Sequence, residues 1–98
     1  MVEKTSAEQP SVVQEVQIPN SLGLHARPAM QLVDLANRFD AEIQIAKADQ
    51  RVDAKSIMQV MTLAATQGTK LTLTARGEDA AKAVAAIAAL IADGFGEE

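Results

Sequence analysis

Gly23-Leu24-His25-Ala26-Arg27-Pro28-Ala29 is the stretch from which the predicted fold and site both follow, and it holds the one histidine of the chain. Glycine permits a bend before the histidine, and proline is tolerated in the first turn of a helix, where its missing N–H matters least. We therefore predict that a loop passes into a helix at His25. Unpaired backbone N–H groups and the helix dipole favour an anion at such a junction. An imidazole with a guanidinium nearby can accept a phosphoryl group there without a metal ion.

Composition limits the classes of protein to which the chain can belong. Its 98 residues are enough for one domain, which we predict over residues 11–98, and the polar residues 1–10 are expected to form a flexible N-terminal tail. A net charge of −4 without a Lys/Arg cluster argues against nucleic acid as the main partner. No apolar run approaches the roughly 20 residues of a membrane span, and no signal peptide is evident. Because cysteine is also absent, we expect a soluble protein of the reducing cytoplasm.

Hydrophobic periodicity predicts alternating strands and helices. Strands are expected over residues 12–18, 41–46 and 69–75, with a short return strand beginning at residues 51–52. Helices are expected over residues 26–39 and 80–92, and a further one from Lys55-Ser56 to Gln67-Gly68. Residues 95–98 are expected to form an acidic tail. Strands with one polar face and amphipathic helices predict an α+β fold, a two-layer open-faced sandwich with strand order 1-4-2-3 covered by three helices.

Some apolar side chains exceed what the predicted core faces need. Met30 projects away from the apolar stripe of the first helix, and Ile57, Met58 and Met61 make the apolar arc of the second helix too wide for a helix with a solvated back. These side chains either pack in the core or form a surface for partner proteins. We favour a docking surface, since methionine is common where one surface meets several partners.

A second motif extends the pattern to a known family. Lys55-Ser56-Ile57-Met58, followed by Val60-Met61, lies at the expected separation from the His25 stretch. Together the two motifs resemble the signatures of the HPr family, the histidine phosphocarriers of the phosphoenolpyruvate-dependent phosphotransferase system, and the resemblance covers the chain after its first ten or so residues. Gln59 departs from the pattern, since a glycine commonly occupies that position.

The resemblance implies a function for individual residues. Enzyme I would phosphorylate His25 on Nδ1, Arg27 would hold the phosphoryl oxygens, and an enzyme II A component would receive the group. HPr kinase/phosphorylase would modify Ser56. The docking surface would comprise Leu24, Ala26, Met30, Ile57, Met58 and Met61. The chain would then be a monomeric carrier rather than a stand-alone enzyme, with no metal site and no cofactor. Whether it serves the sugar or the nitrogen branch is left open.

Simpler interpretations exist for each of these residues. His25 could cap a helix, Arg27 could form a surface ion pair of little energetic consequence, and Ser56 could be an ordinary N-cap. Two other functions are also considered. One is a purely regulatory protein acting through phosphorylated Ser56, and the other is a stand-alone domain that binds a small molecule, which would need an apolar pocket.

Overall fold

Strands and helices follow the predicted order in the computed structural model, which describes residues 11–97. The predicted tail, residues 1–10, lies outside the described residues. The elements are β1 (Ser11–Gln17), α1 (Ala26–Ala36), β2 (Glu42–Lys47), β3 (Gln50–Asp53), α2 (Ile57–Met61), β4 (Lys70–Arg76) and α3 (Ala80–Ala92), followed by a short 3₁₀ turn (Gly94–Gly96). Within residues 11–97, none of these helices is long and apolar enough to cross a membrane.

The four strands form one antiparallel sheet in the order β1-β4-β2-β3, which confirms the predicted order. β4 pairs with β1 on one side, where Val13 lies opposite Thr74, and with β2 on the other, where Ile45 lies opposite Leu73. The alternation of apolar and polar side chains along each strand fixes this pairing register, because a shift by one residue would turn the apolar side chains to the solvent.

One face of the sheet packs against the helices and the other faces solvent. The inward side chains of β2 and β4 are buried as predicted: Ile43, Ile45, Leu71, Leu73 and Ala75. They meet Leu32 and Ala36 of α1, and Val84, Ile87 and Ile91 of α3, in a single core. α1 lies beside both α2 and α3. Truncating a buried leucine in such a core costs about 2–5 kcal/mol of folding free energy, so this core orients the loops between the elements.

α1 is shorter than predicted and ends at Ala36 instead of Phe39. The Asn37 side chain ends it, since its amide donates to the carbonyl oxygens of Val33, at 2.9 Å, and of Lys55, at 3.2 Å. A side chain that bonds to the last helical carbonyls competes with continuation of the helix. The second of these bonds also connects the end of α1 to the start of α2.

α2 has only five residues and ends at Met61, whereas the sequence predicted a helix reaching residues 67–68. The carbonyl groups that follow α2 are bonded to distant parts of the chain. The Leu63 oxygen accepts from Lys47 Nζ at 2.6 Å, and the Ala65 oxygen accepts from the backbone N–H of Leu24 at 2.8 Å. Ala64 adopts a positive φ of 48° and is exposed, whereas Ala65 is buried.

The predicted acidic tail is also wrong for the residues that the structure describes. Phe95 is 3% exposed and belongs to the core. Gly94 and Gly96 both have positive φ, at 68° and 75°, and glycine adopts this region without a steric penalty. The chain therefore folds back after α3 and returns Glu97 to the loop before α1.

Candidate active site

His25 lies at the junction of loop and helix that the sequence predicted. The loop before it is fastened to the segment that follows α2, because Leu24 N–H donates to the Ala65 oxygen at 2.8 Å and Gly68 N–H donates to the Ile18 oxygen at 2.8 Å. Gly23 lies in the closest approach: its φ is +69°, and a Cβ there would lie 2.5 Å from the Ala65 oxygen. Glycine is therefore required at this position by both conformation and space.

His25 occupies the N-cap position of α1, but its side chain does not cap the helix. Its backbone oxygen accepts the N–H of Ala29 at 2.9 Å. Pro28, in the first turn, has no N–H to satisfy. Among residues 11–97, the N–H groups of Ala26 and Arg27 have no backbone partner. These two donors and the dipole of an eleven-residue helix create a site that favours an anion beside His25.

The imidazole of His25 is partly exposed and is held by one nitrogen. Its Nε2 lies 2.8 Å from Glu97 Oε2, and the side chain is 36% exposed. Within the described part of the chain, Nδ1 makes no hydrogen bond. The alternative of a capping histidine is therefore not what the structure shows.

Glu97 is a site residue that the sequence analysis missed. Its other oxygen, Oε1, accepts from Asn20 Nδ2 at 2.9 Å, and the same nitrogen donates to the Gly23 oxygen at 2.8 Å. A signal was present in Gly94-Phe95-Gly96: an aromatic residue between two glycines, in a chain with two phenylalanines, favours a buried turn over a free tail.

Arg27 projects into solvent at the start of α1. No hydrogen bond or ion pair engages its guanidinium within residues 11–97, so the alternative of a surface ion pair is not observed in that range. The planar fork of an arginine matches the geometry of phosphate oxygens.

Exposed apolar side chains lie on α1, on α2 and in the loop before α1. Among the described residues outside β1, the exposed large apolar side chains are Leu22, Met30, Ile57, Met58 and Met61. We call these five the docking surface, after the role proposed for them below. Met58 is the most exposed of them, at 77%. An open groove beside His25 includes Leu22 and Met61 among its lining residues.

The two remaining residues predicted for docking differ from each other in exposure. Ala26 is exposed at the start of α1. Leu24 is buried, at 5% exposure, because its backbone is bonded to Ala65 and its side chain points into the core. A side chain buried in this way is not available to a partner, so the prediction of Leu24 as a docking residue is wrong. Leu22, in the same loop, is 71% exposed instead.

Ser56 lies at the start of α2 and has a structural role. Its Oγ accepts the N–H of Gln59 at 3.3 Å, which is the N-cap interaction expected for serine. Gln59, the departure from the family pattern, accepts the N–H of Asp53 at 2.9 Å through its side-chain oxygen. Glutamine at this position thus ties α2 to the end of β3.

Comparison with known proteins places this arrangement in a family. The family model described as "PTS HPr component phosphorylation site" matches residues 12–93. The chain is 45% identical to the phosphocarrier protein HPr of Treponema pallidum over 89% of this chain and 99% of that protein. It is 48% identical to the HPr of Cupriavidus necator over 82% and 90%, respectively.

A solved structure agrees with these relatives. The crystal structure of HPr-C-His from Thermoanaerobacter tengcongensis superposes with a TM-score of 0.86 at 41% identity, covering 89% of this chain and 98% of that one. The resemblance seen in the two motifs is thereby confirmed along most of the chain. The chain belongs to the HPr family of phosphocarrier proteins of the phosphotransferase system.

Proposed function

We propose that this chain carries a phosphoryl group on Nδ1 of His25, receiving it from phosphorylated enzyme I and passing it to an enzyme II A component. The observation that carries the proposal is the state of His25. Its ring is partly exposed at the N-terminus of α1, does not cap the helix, and is held through Nε2 so that Nδ1 remains available.

The attack on phosphorus needs no general base from this chain. A neutral imidazole is a nucleophile in its own right and needs no dedicated base. The lone pair of Nδ1 attacks phosphorus, and the bond from phosphorus to the donor nitrogen of enzyme I breaks. The resulting phosphoramidate is reactive enough to be passed on. The N–H groups of Ala26 and Arg27 and the Arg27 guanidinium neutralise the phosphoryl oxygens.

Partner proteins would meet the docking surface, which includes Leu22 and Met61 beside His25. Its five apolar residues lie on α1, α2 and the loop before α1. A surface shared by successive partners suits methionine, whose flexible side chain repacks against different shapes. Enzyme I and enzyme II A could then bind to the same surface in turn without a change of fold. We propose that both bind here, in the reducing cytoplasm.

A two-step labelling experiment tests the proposal. The chain is incubated with enzyme I and labelled phosphoenolpyruvate, isolated, and then mixed with enzyme II A proteins of the sugar and nitrogen branches separately. We expect one acid-labile phosphate per chain, and its transfer to at least one of the acceptors. The branch that accepts it identifies the pathway.

His25→Ala and Arg38→Ala serve as the matched variants for this experiment. Arg38 is exposed just beyond α1, so its replacement should leave labelling unchanged, whereas His25→Ala should carry no label. Persistence of the label in His25→Ala would refute the proposed role of His25.

We also propose that HPr kinase/phosphorylase modifies Ser56 and thereby slows phosphorylation by enzyme I. Ser56 is half-buried beside the exposed Ile57 and Met58. A phosphate here would add about two negative charges within the docking surface. Incubation with ATP and the kinase should give an acid-stable phosphate that is absent in Ser56→Ala. Lack of modification, or an unchanged rate after it, would contradict this role.

A further inference from the structure

The contact between Glu97 and His25 links the end of the described chain to the site. The link is held from both sides. Phe95, buried at 3% exposure, anchors the turn that precedes Glu97, and the buried amide of Asn20 donates to Glu97 Oε1 at 2.9 Å. Glu97 therefore reaches His25 from an anchored turn rather than from a loose terminus.

The orientation of the Asn20 amide follows from its partners. Both of them, the Gly23 backbone oxygen at 2.8 Å and Glu97 Oε1 at 2.9 Å, accept hydrogen bonds, so the amide nitrogen must face them. Asn20 is 2% exposed. One oxygen of Glu97 is thus fixed by a buried donor, and the other is directed at Nε2 of His25, 2.8 Å away.

We propose that Glu97 is a positioning residue that sets the tautomer of His25. A carboxylate accepts hydrogen bonds and does not donate them, so its short contact with Nε2 requires the proton on that nitrogen. The lone pair then resides on Nδ1. The buried hydrogen-bond partner of a histidine determines which ring nitrogen is protonated in the same way at metal sites and in catalytic triads.

The proposal rests on the proposed function for its effect on the reaction. When the lone pair of Nδ1 forms the bond to phosphorus, the bond from phosphorus to the donor nitrogen breaks and its electron pair leaves with the donor. The His25 ring, still protonated on Nε2, becomes cationic. Glu97 neutralises this charge. When the group is passed on, the Nδ1–phosphorus bond breaks and the neutral ring returns, so no proton moves in either step.

Replacement by glutamine gives a sharper test than removal. Because Asn20 donates to position 97, the amide oxygen of Glu97→Gln should face Asn20 and its NH₂ group should face His25. Nε2 would then accept a hydrogen bond, and the proton would move to Nδ1, the nitrogen that must be nucleophilic. Glu97→Ala removes the contact without imposing the opposite tautomer.

The direct readout is the ¹⁵N spectrum of the ring in its neutral form. Since His25 is the one histidine, ¹⁵N-histidine labelling reports a single ring. We expect a protonated Nε2 in the wild type, a protonated Nδ1 in Glu97→Gln, and averaged signals in Glu97→Ala. Glu42→Gln is the control, because Glu42 lies opposite Arg76 at the far end of β4, about 20 Å along the strand from the loop that holds His25.

The kinetic readout separates positioning from docking. Glu97→Ala should lower kcat for phosphorylation by enzyme I about tenfold, Glu97→Gln should lower it further, and KM should stay unchanged because position 97 is not on the docking surface. Ring signals that are the same in wild type and Glu97→Gln would overturn the proposal. The spectrum is recorded without enzyme I, so a wild type that accepts no phosphate would refute the proposed function separately.

Discussion

Two helices that pack against each other in this molecule, α1 and α2, use the residue that precedes them differently. At α2, the Ser56 side chain bonds to the N–H of Gln59 and closes the helix end. At α1, the His25 side chain makes no such bond and contacts Glu97 instead. Both residues precede a helix, but the hydrogen-bonding capacity of one serves the fold and that of the other does not.

The difference indicates what frees His25 for chemistry. Ser56 fixes its own helix start, whereas the start of α1 is fixed from outside, by the backbone bond between Leu24 and Ala65 and by the close approach of Gly23. A helix end that neighbouring segments hold can leave two N–H groups unpaired and its first side chain available. We infer that the loop before α1 holds the start of this helix, so that the His25 side chain does not need to cap it.

The largest effect on stability should come from the loop that holds His25. Gly23→Ala introduces a side chain at φ +69° and 2.5 Å from a backbone oxygen, and we expect a loss of about 3 kcal/mol of unfolding free energy. Gly68→Ala is the matched control, since its φ is +88° but nothing lies within 4 Å of its Cβ position. It should cost about 1 kcal/mol. Equal losses in denaturant titrations would show that close approach is not what requires glycine at position 23.

Removal of the guanidinium should affect transfer and not the fold. Arg27→Ala is expected to lower kcat for phosphorylation by roughly ten- to a hundredfold, which corresponds to about 1.5–3 kcal/mol for hydrogen bonds to a charged group. The melting temperature should not change, because Arg27 is exposed. If Arg27→Ala had the same kcat as the control Arg38→Ala, Arg27 would have no role in phosphoryl transfer.

Measuring both stability and phosphorylation in a variant of each N-terminal residue tests the comparison of the two helices. Ser56→Ala should cost about 1 kcal/mol of stability through loss of the cap while leaving phosphorylation by enzyme I intact. His25→Ala should cost at most about 0.5 kcal/mol, since its pair with Glu97 is partly solvated, while abolishing phosphorylation. If both variants lost similar stability, His25 would be a structural residue like Ser56.

The smallest effect is expected at the docking surface. Met58→Glu should raise KM for enzyme I about fivefold, because a charge would replace an apolar contact in the interface, and the melting temperature should hold, since Met58 is exposed. Val13→Glu, on an exposed part of β1, is the control and should leave KM unchanged. A large drop in melting temperature for Met58→Glu would place its side chain in the core.

Local patterns predicted the elements and the sheet, and long-range contacts account for what they missed. Ile43, Ile45, Leu71 and Leu73 alternate, so their strands and buried face could be predicted. The end of α2 could not, because the carbonyl groups of residues 63 and 65 bond to Lys47 and Leu24, far away in sequence.

The site shows the same division. His25, Arg27 and Ser56 belong to two short sequence motifs, and these motifs were enough to predict them as site residues. Glu97 lies 72 residues from His25, and no periodicity joins the two. Leu24 was misplaced because a side chain in a loop follows no period, and its direction is set by the backbone bond to Ala65.

The position of the phosphate on the charged protein tests the central claim most directly. After incubation with enzyme I and phosphoenolpyruvate, ³¹P and ¹⁵N spectra of chain labelled in its one histidine show which atom carries phosphorus. We predict a single phosphoramidate on Nδ1 of His25, with the proton retained on Nε2. A phosphate on Nε2, or an acid-stable ester at Ser56 in place of the phosphoramidate, would contradict the account.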